Sequence, residues 1–343
     1  MFRLKYQILL LENLISLTER KQHMTDCTTE RNGKKTPFGL HGKLHVEGTR
    51  IIDEHQQPCQ LRGLSTHNLS NYPEYINEAA ITQMADEWNI TIFRLAMYSA
   101  SADGFEGYAD GTDEHREELE NLIINGVEIA AKLGIYVLVD WHCLLDYDPN
   151  MHTDMALHFF KKMCPILKKY DNVIYEICNE PNEDVTWAEI CNYANTVIPA
   201  IKAIDDSKII IVGTPKWSQL VDDAADAPLA YDNLMYALHF YADTHKEELR
   251  KKMEYALSKG LPIFVTEFGI CAADGAGAVN PEETKTWITA LNRHEISYIM
   301  WNLSNKDETS AILLPECSKI SDFAESDLSV AGIMLKELMT NCY

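Results

Sequence analysis

Eight strand-like apolar runs alternate with segments of helical period along this chain, and that alternation predicts an α/β fold: a (β/α)8 TIM barrel. Two further observations agree. Several runs are apolar at consecutive positions, as strands covered on both faces must be. Polar residues gather where the runs end, which is where a parallel barrel carries its chemistry. The length of 343 residues suits one such domain.

Residues 1–36 read as an N-terminal extension. Arg3 and Lys5 precede a short apolar run at 8–11, which Glu12 and Asn13 interrupt. A secretory core needs ~7–15 apolar residues and a small-residue cleavage site, so the segment reads as a degenerate signal or a linker. The catalytic domain is expected at 37–343. Within it, residues 44–52 form a small hairpin. QLRGLSTH (60–67) is the first strand, 77–88 a helix and ITIFRLAMY (90–98) the second strand. Residues 113–133 form a long helix whose first turn is acidic, as the helix dipole favours. GIYVLVDWH (134–142) is the third strand, 153–170 a helix and 173–179 the fourth strand. A helix at 187–204 leads to KIIIVG (208–213), then LMYALHFY (234–241). The helix at 245–259 is closed by Gly260. The seventh strand is 261–267, followed by a helix at 281–294 that opens on Pro281. SYIMWN (297–302) is the eighth strand and 321–339 the final helix.

The formal charge is −22, from 30 Lys+Arg against 52 Asp+Glu. Such a surface repels phosphate backbones and anionic membranes, so no nucleic-acid or membrane partner is expected. A neutral polymer fits. The nine cysteines are scattered and contain no CxxC, which argues against a zinc cage or a disulfide framework. Several sit in apolar runs, where a free thiol acts as a small core residue. That suggests a reducing or anaerobic setting.

Two glutamates carry the functional reading. NVIYEICNEP presents Glu180 and LPIFVTEFG presents Glu267, each at the end of an apolar run. Two carboxylates that meet in space are the minimum equipment for cleaving a glycosidic bond. Glu180 suits the acid/base, with a pKa raised by burial and by the charge of Glu267. Glu267 suits the nucleophile, its charge held by Arg94 and Tyr241. Asn179 is placed to reach a sugar hydroxyl, and His142 and His239 to orient the carboxylates. His67 and Asn68 also end a strand. Trp217 and Trp301 are candidate platforms for a pyranose face, with Trp141 and Tyr72 nearby, whereas Trp88 and Trp287 read as core. Asp140, His142, His239 and Glu267 could in principle gather round zinc, but no HxH or HExxH pairing occurs. No metal and no cofactor are expected.

At these residues the chain resembles glycoside hydrolase family 5, in the branch of bacterial endo-β-1,4-glucanases (cellulases). The matching motifs are GLSTH, IFRLAMY, VDWH, YEICNEP, ALHFYADTH, TEFG and WNLSNKDETSA, and the resemblance covers residues 36–338. It implies Glu180 as acid/base and Glu267 as nucleophile of a retaining double displacement. Arg94, His142, Asn179, His239, Tyr241 and Trp301 would complete the reaction subsite. His67, Ala273, Lys306 and Glu308 would contact the sugar on the non-reducing side. Relatives usually carry Trp where this chain has Phe268, and often Gly then Trp where it has Asn68 and Asn71. A weakened distal stacking surface would favour mixed β-1,3/1,4 or soluble glucans over crystalline chains. A β-mannanase or xyloglucanase on the same scaffold, or a non-catalytic glycan-binding barrel, are the alternatives. The partner expected is a neutral β-glucan, and the protein itself a monomer, secreted or on the surface of an anaerobic bacterium.

Overall fold

The structure is a computed structural model that describes residues 27–340. Residues 1–26 of the expected extension lie outside it. Eight strands close into a barrel. They are β1 Arg62–Thr66, β2 Ile92–Tyr98, β3 Tyr136–His142, β4 Val173–Glu176, β5 Ile210–Val212, β6 Leu234–Tyr241, β7 Ile263–Gly269 and β8 Tyr298–Leu303. Each strand pairs in parallel with its sequence neighbours, and β8 closes on β1. Around them run α1 Glu78–Glu87, α2 Asp113–Leu133, α3 Thr153–Leu167, α4 Trp187–Lys202, α5 Val221–Asp226, α6 Glu247–Ser258, α7 Pro281–Arg293 and α8 Val330–Thr340. Among the described residues no helix is long and apolar enough to cross a membrane.

Local chemistry sets the helix ends. The Thr112 hydroxyl accepts from the His115 N–H to open α2, and Thr186 and Glu189 form a capping box on α4. α2 ends at Gly134, which is left-handed at φ 69°. A Cβ there would meet the Thr28 carbonyl oxygen at 2.2 Å, so this turn admits only glycine. Thr28 in turn donates its N–H to Ala131 at 2.9 Å. Thr28 and Thr36, which the sequence reading placed in the extension, therefore pack against the end of α2 in this structure.

Two boundaries differ from expectation. The fourth strand ends at Glu176, not at 179. The run stays apolar to Cys178, but beyond Ile177 the backbone turns away: Glu180 N–H donates to Cys143, and Asn179 O accepts from the Ser218 hydroxyl. The last helix starts at Val330, not at 321. Phe323 turns inward onto Tyr75 and Trp88, and Leu314 N–H captures the Asp327 carbonyl, so the stretch before α8 is a loop with one 3-10 turn.

The barrel interior is layered by the two-residue period of its strands. The lowest layer is an apolar plug that includes Ile92, Leu138, Ile174, Ile211, Phe264 and Ile299. Two residues further along the same strands stand Arg94, Asp140, Glu176 and Thr266, and two beyond Ala237 of the plug stands His239. Above these, Tyr98, Tyr241 and Trp301 line the mouth with Ala96. The outer faces of the strands pack on the helices as the main core.

Candidate active site

A bulge in β7 brings Glu267 inward. Ala237 and His239 of β6 face Phe264 and Glu267 of β7, so β7 carries one extra residue there, and the same irregularity shows on the β8 side. As a result Thr266 and Glu267, adjacent in sequence, both join the interior network. Phe268 then points outward, fully buried against Phe240 and Tyr298. It cannot be part of a sugar platform, so its difference from relatives does not bear on stacking. The glycine of TEFG has a steric reason: a Cβ on Gly269 would meet the Tyr241 ring at 2.3 Å.

Arg94 is the hub. Its Nε donates to Glu176 at 2.9 Å, its Nη1 to Glu267 at 3.2 Å and its Nη2 to Asn179 Oδ1 at 2.6 Å. Nη2 also lies 2.9 Å from Asp140. The guanidinium is wholly buried, and these carboxylates hold its proton more tightly than usual. Asp140 binds His142 Nδ1 at 2.6 Å, and His142 Nε2 meets the Asn179 amide at 3.2 Å. On the far side, His239 Nδ1 lies 2.8 Å from Glu180 Oε1, and its Nε2 lies 2.8 Å from Thr266 Oγ1. Thr266 donates to Glu176 at 2.6 Å. Tyr241 donates its hydroxyl to Glu267 at 2.8 Å.

Carboxyl groups outnumber cations in this cluster. Burial pushes Glu180 up to about 8, with Arg94 only partly offsetting it. Burial likewise lifts Glu176 and Asp140 to about 7 against the pull of Arg94. Glu267 is raised by burial and by Glu180, while His239 and Arg94 pull it back. Burial drives His239 down to about 4 and His142 well below its ordinary value, so both rings are neutral. One carboxylate oxygen of Glu180, one of Glu267 and one His239 nitrogen lie within 4.8 Å of one another. A metal ion could use that spacing. Here, however, Arg94 already supplies positive charge to Glu267, and both His239 nitrogens are hydrogen-bonded.

The other expected residues fall on two sides of this centre. On one side Lys306 Nζ lies 3.0 Å from Glu308, 3.2 Å from Asp103 and 3.3 Å from His67 Nε2. Tyr72 meets the His67 ring edge-on at 5.1 Å. Trp301 is nearly buried and stacks on His142 at 5.4 Å. Ala273 is exposed on the loop after β7 and ties that loop down through its N–H, which donates to Thr244 at 3.0 Å. Asn68 is buried in a turn, accepting from the Ser70 N–H. On the opposite side Trp217 is 38% exposed in a left-handed run with Lys216 and Ser218. Its N–H donates to the Pro181 carbonyl at 3.0 Å, which ties it to the segment bearing Glu180. Exposed Leu145 and Tyr147 follow β3 nearby, and Tyr147 O accepts from the Asn182 N–H. Trp141 is core, packed on Tyr108 and Phe159, and Trp88 and Trp287 are buried too.

Sequence reasoning passed over Glu176, Thr266, Tyr98 and Asp103. The first three were findable, because alternation places them on the inward face with Ile174, Phe264 and Ala96. Asp103 comes from a loop and carries no such signal.

Comparison with known proteins agrees with this geometry. Residues 52–307 match the family described as Cellulase (glycosyl hydrolase family 5). Endoglucanase A of Butyrivibrio fibrisolvens is 44% identical over 296 residues, covering 86% of this chain and 68% of that protein. An endoglucanase of Clostridium saccharobutylicum is 41% identical over 311 residues, covering 90% of this chain and 67% of the relative. Among solved structures, the cellulase Cel5C_n superposes with a TM-score of 0.85 at 42% identity, covering 92% of this chain and 96% of the other. The catalytic domain of Thermobifida fusca endoglucanase Cel5A in complex with cellotetraose superposes with a TM-score of 0.83 at 32% identity, covering 89% of this chain and all of that one.

Proposed function

The chain belongs to glycosyl hydrolase family 5, and from that premise we propose that it is a retaining endo-β-glucanase. Its substrates are β-1,4-glucans and mixed β-1,3/1,4-glucans, cut within the chain by double displacement. The endoglucanase names of its relatives and the cellotetraose held by one of them support the substrate class. The observation that carries the mechanism is the Glu180–Glu267 pair, with carboxylate oxygens within 4.8 Å. Retaining enzymes hold their two carboxyl groups about 5–5.5 Å apart, while inverting enzymes leave about 6.5–9.5 Å for a water.

In the first step Glu180 gives its proton to the departing glycosidic oxygen. Ionised Glu267 attacks the anomeric carbon, so the C–O bond to the leaving chain breaks as the ester bond forms. Arg94 and Tyr241 hold the Glu267 charge until it is shared with the sugar. Esterification removes that charge, and Glu180 becomes more acidic. In the second step Glu180 takes a proton from water, the oxygen attacks the anomeric carbon, and the Glu267 carboxylate leaves. Asn179, fixed by Arg94 and His142, offers its amide to the sugar beside the cut. Lys306, Glu308, His67 and Trp301 hold the non-reducing side, and Trp217 the leaving side. No step needs a metal, so EDTA should leave the rate unchanged. A polymeric substrate calls for a secreted or cell-surface enzyme.

The test is hydrolysis of carboxymethylcellulose, barley β-glucan, lichenan, xyloglucan and glucomannan by wild type and by Glu267→Ala. The proposal expects β-glucan cleavage that vanishes in the variant. A folded wild type inactive on every β-glucan contradicts it.

A further inference from the structure

Beneath the two glutamates runs a continuous buried hydrogen-bonded chain: Glu180, His239, Thr266, Glu176, Arg94, Glu267. Its donor and acceptor directions can be worked out from the Glu176 end. Glu176 takes Arg94 Nε on one oxygen and the Thr266 hydroxyl on the other. An ionised carboxylate only accepts, so Thr266 spends its one proton there. The Thr266 oxygen must then accept from His239 Nε2, 2.8 Å away. A neutral imidazole has a single N–H, which leaves a lone pair on Nδ1. Glu180 Oε1 sits 2.8 Å from that lone pair. Two lone pairs at that distance repel, so the hydrogen between them belongs to Glu180.

We propose that Glu176 is a positioning residue for the acid: acting through Thr266, it locks His239 in the Nε2–H tautomer, and that lock keeps the proton on Glu180. The inference rests on the assignment of Glu180 as the acid. Burial supports the neutral ring, and Arg94 contacts Glu176 directly whereas Glu180 lacks that contact, so the distal carboxyl ionises first. The other titratable or charged groups facing this chain are Tyr98 from β2, Asp140 and His142 from β3, Cys178 after β4, Tyr241 from β6 and His245 beyond it. Asp140 bonds Arg94 and lies against Glu176, Tyr241 donates to Glu267 at the far end of the chain, and the rest act through charge. None competes for the His239 nitrogens.

Glu176→Gln reverses the chain. Arg94 Nε keeps the amide oxygen, so the amide nitrogen faces Thr266 and donates to it. Thr266 then donates to His239 Nε2, the ring proton moves to Nδ1, and Nδ1–H stabilises the Glu180 carboxylate. Thr266→Val cuts the chain without changing any charge. It separates the lock from simple repulsion between Glu176 and Glu180.

The experiment combines ring-nitrogen NMR of His239 with pH profiles of kcat/KM on a soluble β-glucan. At about pH 7.5, between the two carboxyls, wild type should show Nε2–H. Glu176→Gln should show Nδ1–H, with the basic limb of the profile moved down by about one pH unit, a tenfold change in proton affinity. Thr266→Val should lose the pure Nε2–H signature and move the limb the same way. Nδ1–H in wild type overturns the inference, whether or not either variant folds. So does a Thr266→Val limb that stays in place, which would reduce Glu176 to a neighbouring charge. A tautomer that flips in Glu176→Gln with an unmoved limb overturns Glu180 as the acid as well as the lock built on it.

Discussion

The floor of the barrel and the layer above it come from the same strands, separated by two residues of height. The floor is Ile, Leu and Phe. The layer above packs Asp140, Glu176 and Glu267 around one buried arginine, and Glu180 joins it from the turn after β4 through His239. The floor needs only volume. The upper layer needs every partner in place, because a buried charge without one is strongly destabilising. Burial has nevertheless raised the pKa of all four carboxyls. The comparison teaches that this layer is kept for chemistry rather than for stability, and that the floor supplies the rigidity beneath it.

The largest expected effect separates the two functions outright. Glu267→Ala should reduce kcat on β-glucan by about 10^4-fold or more while leaving far-UV circular dichroism unchanged. Arg94→Met should be next. It removes the one cation of the cluster, and urea denaturation should show a loss of about 3–5 kcal/mol together with activity. On the floor, Ile211→Ala should lower stability by about 2–5 kcal/mol through the cavity it leaves. Its pH profile should match wild type, and a shifted limb would break the separation of the two layers.

The pH dependence of stability sharpens the same contrast. Glu180, raised from 4.5 to about 8, binds more protons folded than unfolded, and the same holds for Glu176 and Asp140. Such groups make stability fall as pH rises through the interval between their two values. His239, depressed from 6.5 to about 4, acts oppositely below 6.5. Between 6.5 and 8 the carboxyls act alone, so the thermal midpoint should decline there, and a midpoint that rises would contradict the assigned burial. The smallest effect lies at the rim. Trp217→Ala removes an exposed platform and should raise KM several-fold, about 0.5–1.5 kcal/mol, with kcat on short substrates little changed.

Much of this was legible in the chain. The alternation of runs and periods fixed the barrel order, and α2 began where its acidic first turn placed it. The rim residues were visible because a polar group at the end of an apolar run needs a reason. Glu176 and Thr266 escaped because they stand inside such runs, where they look like strand body until their facing is followed by twos. The end of β4 was misread because the sequence stays apolar while the backbone has already turned to bond Cys143 and Ser218. The bulge in β7 has no local signature, so the outward facing of Phe268 could only be seen in three dimensions.

The central claim is that Glu267 becomes covalently attached to the sugar. The direct test is incubation with a 2-deoxy-2-fluoro cellobioside bearing a dinitrophenyl leaving group, followed by intact and peptide mass spectrometry. The account predicts one adduct per chain, on Glu267, with turnover blocked until it is released. Unlabelled protein that hydrolyses β-glucan with inversion of the anomeric centre would contradict it.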